Sequence, residues 1–166
     1  MLFRSRQLGD AQFVDRTLAS VRESGLEQSN LVLEISEKTM LADNPAVTRA
    51  LGALKRSGVR IAIDDFGTGY SSLAHLRDFP ADFLKLDGSL VRDLGQQGGD
   101  DPIVRSIIQL AHSLNMSVIA EWVSTDDQSQ RLRLLGCDFV QGNRIGEAVA
   151  ANEFTSSRAT TVERRA

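Results

Sequence analysis

The sequence is poor in several things. It has one cysteine, Cys137, so no internal disulfide framework can form. Aromatic residues make up only 5% of the chain, so a core must come from Leu, Ile, Val and Ala. The formal net charge is −3 and no basic block stands out, which argues against binding a nucleic-acid polymer through a positive face. No apolar run approaches the ~20 residues that a membrane helix needs. The start, "MLFRSRQLGDAQ", has no apolar region of the signal-peptide kind. Cytoplasm is therefore the expected compartment. What is present is 42% hydrophobic content over 166 residues, enough for one soluble domain of ordinary size.

An alternation runs along the chain. Asp10 is placed to cap "AQFVDRTLASVRES", whose Phe13, Val14, Leu18 and Val21 form an apolar stripe, with Gly25 as the stop. "NLVLEIS" reads as a strand. "DNPAVTRALGALKRSG" reads as a helix with Val47, Ala50, Leu51 and Leu54 on one side and Gly58 at its end. "VRIAIDD", "DFLKLD", "SVIAEW" and "DFVQG" read as strands; "SSLAHLRDF", "DPIVRSIIQLAHSLN" and "DDQSQRLRLLG" read as helices. Strands alternating with helices predict right-handed βαβ units and a parallel sheet of five strands. The end, "TSSRATTVERRA", is polar and unpatterned, and is expected to be a tail over residues 155–166.

Side chains alternate between faces along a strand. Leu33 and Ile35 share one face, opposite Val32 and Glu34. Ile61 and Ile63 oppose Ala62 and Asp64; Leu84 and Leu86 oppose Phe83, Lys85 and Asp87; Val118 and Ala120 oppose Ile119 and Glu121; Val140 opposes Gln141. Each strand thus has an aliphatic face for helices and a second face that ends in a polar residue. A doubly wound sheet would want both faces apolar throughout. A closed (β/α) barrel fits better, because its active site lies at the C-terminal ends of the strands.

Each position also has a plain structural explanation. A lone acid after a strand is often a cap or turn former, and Lys85 could belong to a structural ion pair. The set is more informative than its members. Four carboxylates, a lysine and an amide converging on one rim are costly unless a cation neutralises them, and such oxygen donors suit Mg²⁺ or Mn²⁺. Clustered carboxylates with divalent ions can activate water and clamp a phosphate, which points to phosphodiester hydrolysis. His75 and His112 sit among apolar residues in helical stretches and read as packing or surface residues. The Gly-x-Gly of "GTGYSS" is not a Walker loop; it suits a tight loop, with Ser71 or Ser72 as a helix cap.

"IAIDDFGTGYSSL", then "LKLD", "SVIAEWV" and "LLGCDFVQG", resemble the EAL-domain family over about residues 5–154. These are bacterial phosphodiesterases that linearise cyclic di-GMP, together with inactive relatives that bind or signal. The resemblance implies a modified (β/α)₈ barrel of the TIM type with Mg²⁺ or Mn²⁺ at the strand ends. By matching position, Glu34, Asp64 and Asp65 resemble metal ligands. Lys85 resembles the lysine at a metal-bound water, Asp87 the acid beside it and Glu121 the general base. Gln141 resembles a residue of the substrate pocket, and Glu37 the anchor of the loop that runs from Phe66 to Ser72.

The sequence also departs from the family pattern. The Glu-Ala-Leu motif is absent, and the next expected ligand, an asparagine, falls on Leu2. The family's "AEGVE" reads "AEWVS", with Trp122 for glycine and Ser124 for glutamate. After "QG", Asn143 stands for an aromatic and Ala148 for a proline. The expectation is an incomplete barrel over residues 1–154, lacking its first strands, with about five and a half of eight strands where the full fold takes roughly 250 residues. Such a chain is expected to be marginal, oligomeric or completed by another chain, with a second copy or another EAL-type or signalling protein as partner. Three functions follow: a non-catalytic domain that binds cyclic di-GMP or a protein, an active phosphodiesterase whose missing ligands come from a partner or a longer chain, or a gene fragment without function.

Overall fold

The computed structural model describes residues 2–3, 5–42, 44–67, 73–95 and 99–147. They form two compact units, divided within a strand between Leu84 and Lys85. The tail and the stretch Thr68–Ser72, with the expected serine cap, lie outside the described residues.

The first unit begins with β1 (Leu2–Phe3) and two helices, α1 (Ser5–Leu8) and α2 (Phe13–Glu23). A 3₁₀ turn at Gln28–Asn30 leads into β2 (Val32–Ser36), α3 (Glu37–Leu41), α4 (Pro45–Arg56), β3 (Arg60–Phe66) and α5 (Leu73–Asp78). The strand order is β1-β2-β3, all parallel, with Leu33 beside Ile61 and Ile35 beside Ile63. Order that follows the sequence is what barrel winding requires; a doubly wound sheet reverses it.

The predicted periodicities explain the packing. Val47, Ala50, Leu51 and Leu54 of α4 are all buried, and Val47, Leu51 and Leu54 meet Leu33, Ile35 and Ile61 in one core cluster. Asn44 accepts a hydrogen bond from the Ala46 N–H, and Pro45 opens the helix. Asp82 fastens the sheet from the side: its backbone N–H donates to the Ile61 carbonyl at 2.8 Å, its Oδ2 accepts from the Ile61 N–H at 2.9 Å, and its Oδ1 pairs with Lys55. We expect Leu51→Ala to lower the unfolding free energy by about 2–5 kcal/mol, because the side chain is fully buried and its cavity cannot collapse freely. Urea denaturation checks this; a loss below about 1 kcal/mol would mean that the cluster yields at this point.

The second unit carries the end of β4 (Phe83–Leu86), then α6 (Gly88–Arg92), α7 (Asp101–Ser113), β5 (Ser117–Ala120), α8 (Asp126–Leu135) and β6 (Phe139–Val140). The order is again sequential, β4-β5-β6, with Ile119 beside Phe139 in parallel register. Val118 and Ala120 are buried with Val104, Ile108 and Ala111 of α7 and Leu132 of α8. Helix α8 opens with a full capping box, Thr125 and Gln128 bonding each other's ends, and closes on Gly136 at φ 92°.

Several expectations change. Asp10 is not the cap of α2: Gln12 is the residue before the helix, and Asp10 accepts its N–H at 2.9 Å two residues earlier. The predicted helix thus starts later because an Asx turn competes for its first residues. Among the described residues six strands form: the five read from the pattern and the expected half strand, Leu2–Phe3, which pairs with β2. Two five-residue helices, α3 and α6, were not predicted. No helix among the described residues is long and apolar enough to cross a membrane.

Candidate functional site

In the first unit the candidate ligands lie in the middle of β2, at Glu34, and in the C-terminal half of β3, at Asp64 and Asp65. The register sets Glu34 beside Ala62 and Ser36 beside Asp64, so Glu34 and Asp64 share a face of the strand pair. Asp64 is 7% exposed. The strand expected over "VRIAIDD" already takes in Asp65. Asp65 lies within β3, with a left-handed φ of 56°. That kink interrupts the alternation, so strict parity no longer assigns Asp65 to the face opposite Asp64. A non-glycine residue there costs about 1–2 kcal/mol, a strain of the kind that gathers at functional sites. Glu37 opens α3, is buried, and accepts from the Gly67 N–H at 3.3 Å. It therefore holds the first part of the glycine loop. The donors are all carboxylate oxygens, which fit a hard divalent cation such as Mg²⁺ or Mn²⁺ in chemistry. Leu2 is the register neighbour of Glu34 and has no donor atom to offer.

In the second unit Lys85 Nζ meets Glu121 Oε1 at 2.9 Å, with side chains 5% and 14% exposed. Lys85 comes from the body of β4. Glu121 follows β5, and its N–H donates to the Leu86 carbonyl at 3.2 Å. The ladder thus continues one residue past the strand and fixes where the carboxylate starts. A pair this dry is held by geometry, since each charge would be expensive alone.

Asp87 has a different local task. It caps α6, and its Oδ1 accepts from the Ser89 N–H at 2.9 Å. Hydrogen bonding from Ser89 holds its carboxyl below the usual carboxylate range, against a smaller opposing effect of burial. Stability from this group is therefore complete above the unfolded pKa of about 3.9 and is lost as pH falls through the lower folded value. Asp87→Ala should cost about 1 kcal/mol at neutral pH and less in acid. Equal costs at pH 7 and pH 2.5 in thermal melts would rule out a charge-assisted cap.

Gln141 follows β6, is exposed, and donates its N–H to the Ala120 carbonyl at 2.8 Å. His112 is a surface residue, with Nε2 2.8 Å from Asp138 Oδ2, and His75 is exposed. Both match the sequence expectation. Cys137 is a half-buried thiol whose pKa burial pushes up to about 12, which leaves little thiolate at neutral pH.

Sequence reasoning missed Gln128. Its Oε1 accepts from the Ser124 N–H at 2.9 Å, the Ser124 hydroxyl at 3.1 Å and the Thr125 N–H at 3.2 Å, while its Nε2 donates to the Arg92 carbonyl at 3.3 Å. The T-x-x-Q spacing of "TDDQ" could have announced it. Trp122 lies between Glu121 and this tie, at φ 60°. A glycine would take that conformation freely and a tryptophan does so at a cost, so the departure from "AEGVE" has a backbone consequence.

Comparison with known proteins follows the same residues. The family profile of the EAL domain matches residues 2–148. A curated relative from Pseudomonas aeruginosa, the bifunctional diguanylate cyclase/cyclic di-GMP phosphodiesterase MucR, is 39% identical over 91% of this chain. The chain spans only 22% of the length of that protein. The EAL domain of Mycobacterium smegmatis DcpA superposes with a TM-score of 0.86 at 37% identity, covering 92% of this chain and 68% of that one. Klebsiella pneumoniae BlrP1, in a manganese and cyclic di-GMP complex, gives 0.83 at 30% identity, over 89% of this chain and 38% of that one. Fold, strand-end acids and matched span agree: the chain belongs to the EAL domain family, and its α/β architecture is that of the family's barrel.

Proposed function

We propose that this chain is a cyclic di-GMP-binding EAL domain that does not hydrolyse the nucleotide by itself. The observation that carries the proposal is the register of β1 against β2, which puts Leu2 next to Glu34 where a further donor would be needed. Glu34, Asp64 and Asp65 are the residues that would hold Mg²⁺ or Mn²⁺, and Gln141 would contact the ligand. When bound, the cation would offset phosphate charge and lower the pKa of a water. A missing ligand lowers metal affinity by more than the ~10–100-fold that a supporting contact is worth.

The buried Lys85–Glu121 pair favours a second reading, hydrolysis of one phosphodiester bond to give linear pGpG. There Glu121 takes the proton from water, Lys85 steadies charge on the attacking oxygen, and Asp87 is the acid that follows the lysine on the same strand end. Incubating the chain with cyclic di-GMP and Mn²⁺, then separating the products, decides between the two. Bound but intact nucleotide is the expected result. Turnover that disappears in Glu121→Gln establishes the second reading, and neither binding nor turnover defeats both.

A protein partner completes the proposal, a second copy or another EAL-type or signalling chain. The support is β1, which stands at the end of the strand order with β2 as its one neighbour among the described residues. Light scattering that finds only monomer at high concentration would remove the second copy.

A further inference from the structure

Trp122 is a large exposed hydrophobic residue, 74% exposed, immediately after Glu121. Its backbone is fixed on both sides. The Glu121 N–H donates to the Leu86 carbonyl at 3.2 Å and the Val123 N–H to the Gln141 carbonyl at 3.0 Å. Its side chain rests on Gly88. A Cβ built on Gly88 would come 2.7 Å from the indole Cδ1 and 2.9 Å from the Trp122 Cβ. The indole keeps its seat because residue 88 has no side chain. One edge is held and the rest stays open.

Local energetics do not account for this arrangement. A bulky residue with positive φ is disfavoured, and an exposed indole gains little burial in return. The surroundings are polar: Ser124, Thr125, Gln141 and Asn143 are all exposed. Among the described residues Trp122 is the one large exposed hydrophobic of this loop, so the apolar surface the loop offers is one residue wide. That is small for a protein interface, which needs a broader apolar centre, and about the size of a single flat base.

We propose that Trp122 is a stacking platform for one guanine of cyclic di-GMP, and so a base-binding residue beside Glu121. This rests on the nucleotide-binding reading above. The indole offers a rigid π-face with only two side-chain torsions to fix, and every base has a face to lay on it.

Trp122 is the chain's single tryptophan, so its emission reports on this position alone. Titration of the full chain with cyclic di-GMP should change that emission saturably, with the midpoint that calorimetry gives. Trp122→Phe should bind within a few-fold of the wild type. Trp122→Gly, which also relieves the backbone, should bind about tenfold or more weakly. Gly88→Ala keeps the fluorophore but takes its seat, and should weaken binding while shifting the emission of the free chain. Calorimetric binding with unmoved emission, or equal or tighter binding by Trp122→Gly, overturns the stacking role and leaves nucleotide binding intact. Absence of binding heat in every form overturns both. Emission that changes only with protein concentration assigns the indole to a protein interface and overturns the base contact.

Discussion

Lys85→Ala is expected to lower the unfolding free energy by about 3–5 kcal/mol, the cost of leaving one member of a buried ion pair alone. With side chains 5% and 14% exposed, neither Lys85 nor Glu121 can recover much hydration when its partner is removed. The alanine variant removes the ammonium that lies 2.9 Å from the Glu121 carboxylate. A double change, Lys85→Met with Glu121→Leu, should recover most of the loss, because apolar replacements of similar volume remove both desolvation costs together. Urea unfolding with an unchanged slope measures both. The wild-type value should respond weakly to salt, since a dry pair is little screened. A single-variant loss under about 1 kcal/mol would mean that water already reaches the pair and would remove the reason for calling it preorganised.

Gly142→Ala is expected to cost about 3 kcal/mol, for two reasons that add. Its φ of 155° disfavours any Cβ, and a Cβ there would fall 2.3 Å from the Val123 carbonyl oxygen and 2.4 Å from the Val123 nitrogen. Those are backbone atoms and cannot rotate away. Relief would break the bonds that stitch this loop to its neighbour, Val123 N–H to Gln141 and Arg144 N–H to Val123. Gly146→Ala is the matched control. Nothing lies within 4 Å of its Cβ position, and the cost should be near zero. Comparable losses in the two variants would contradict a steric origin.

What the sequence revealed and what it hid have separable causes. Parity along a strand is local, and it sorted Leu33 and Ile35 from Glu34 as the burial does, whereas in β3 Ile63 and Asp64 are both buried and burial alone does not separate their faces. Helix α4 was legible because its cap, proline, stripe and glycine all agree. Helix α6 was not, because five residues hold too little periodicity, although an aspartate before Gly-Ser is itself a capping signal. The type of residue at position 85 suggested an ion pair, but the partner, 36 positions later, depends on tertiary structure. The kink at Asp65 and the φ of Trp122 are backbone states that no pattern of side chains encodes.

The Gln128 tie has a consequence for motion. The segment between β5 and α8 has no regular structure, and such segments usually open with little free energy. Here the Ser124 and Thr125 amides both end on one buried carboxamide oxygen, whose nitrogen is fastened to Arg92. Hydrogen exchange at these two amides should then be as slow as at the first turn of α8, because opening either means undocking the helix start. In the time domain the loop after Glu121 should open with that helix, and Glu121 and the indole are carried on a segment tied to it.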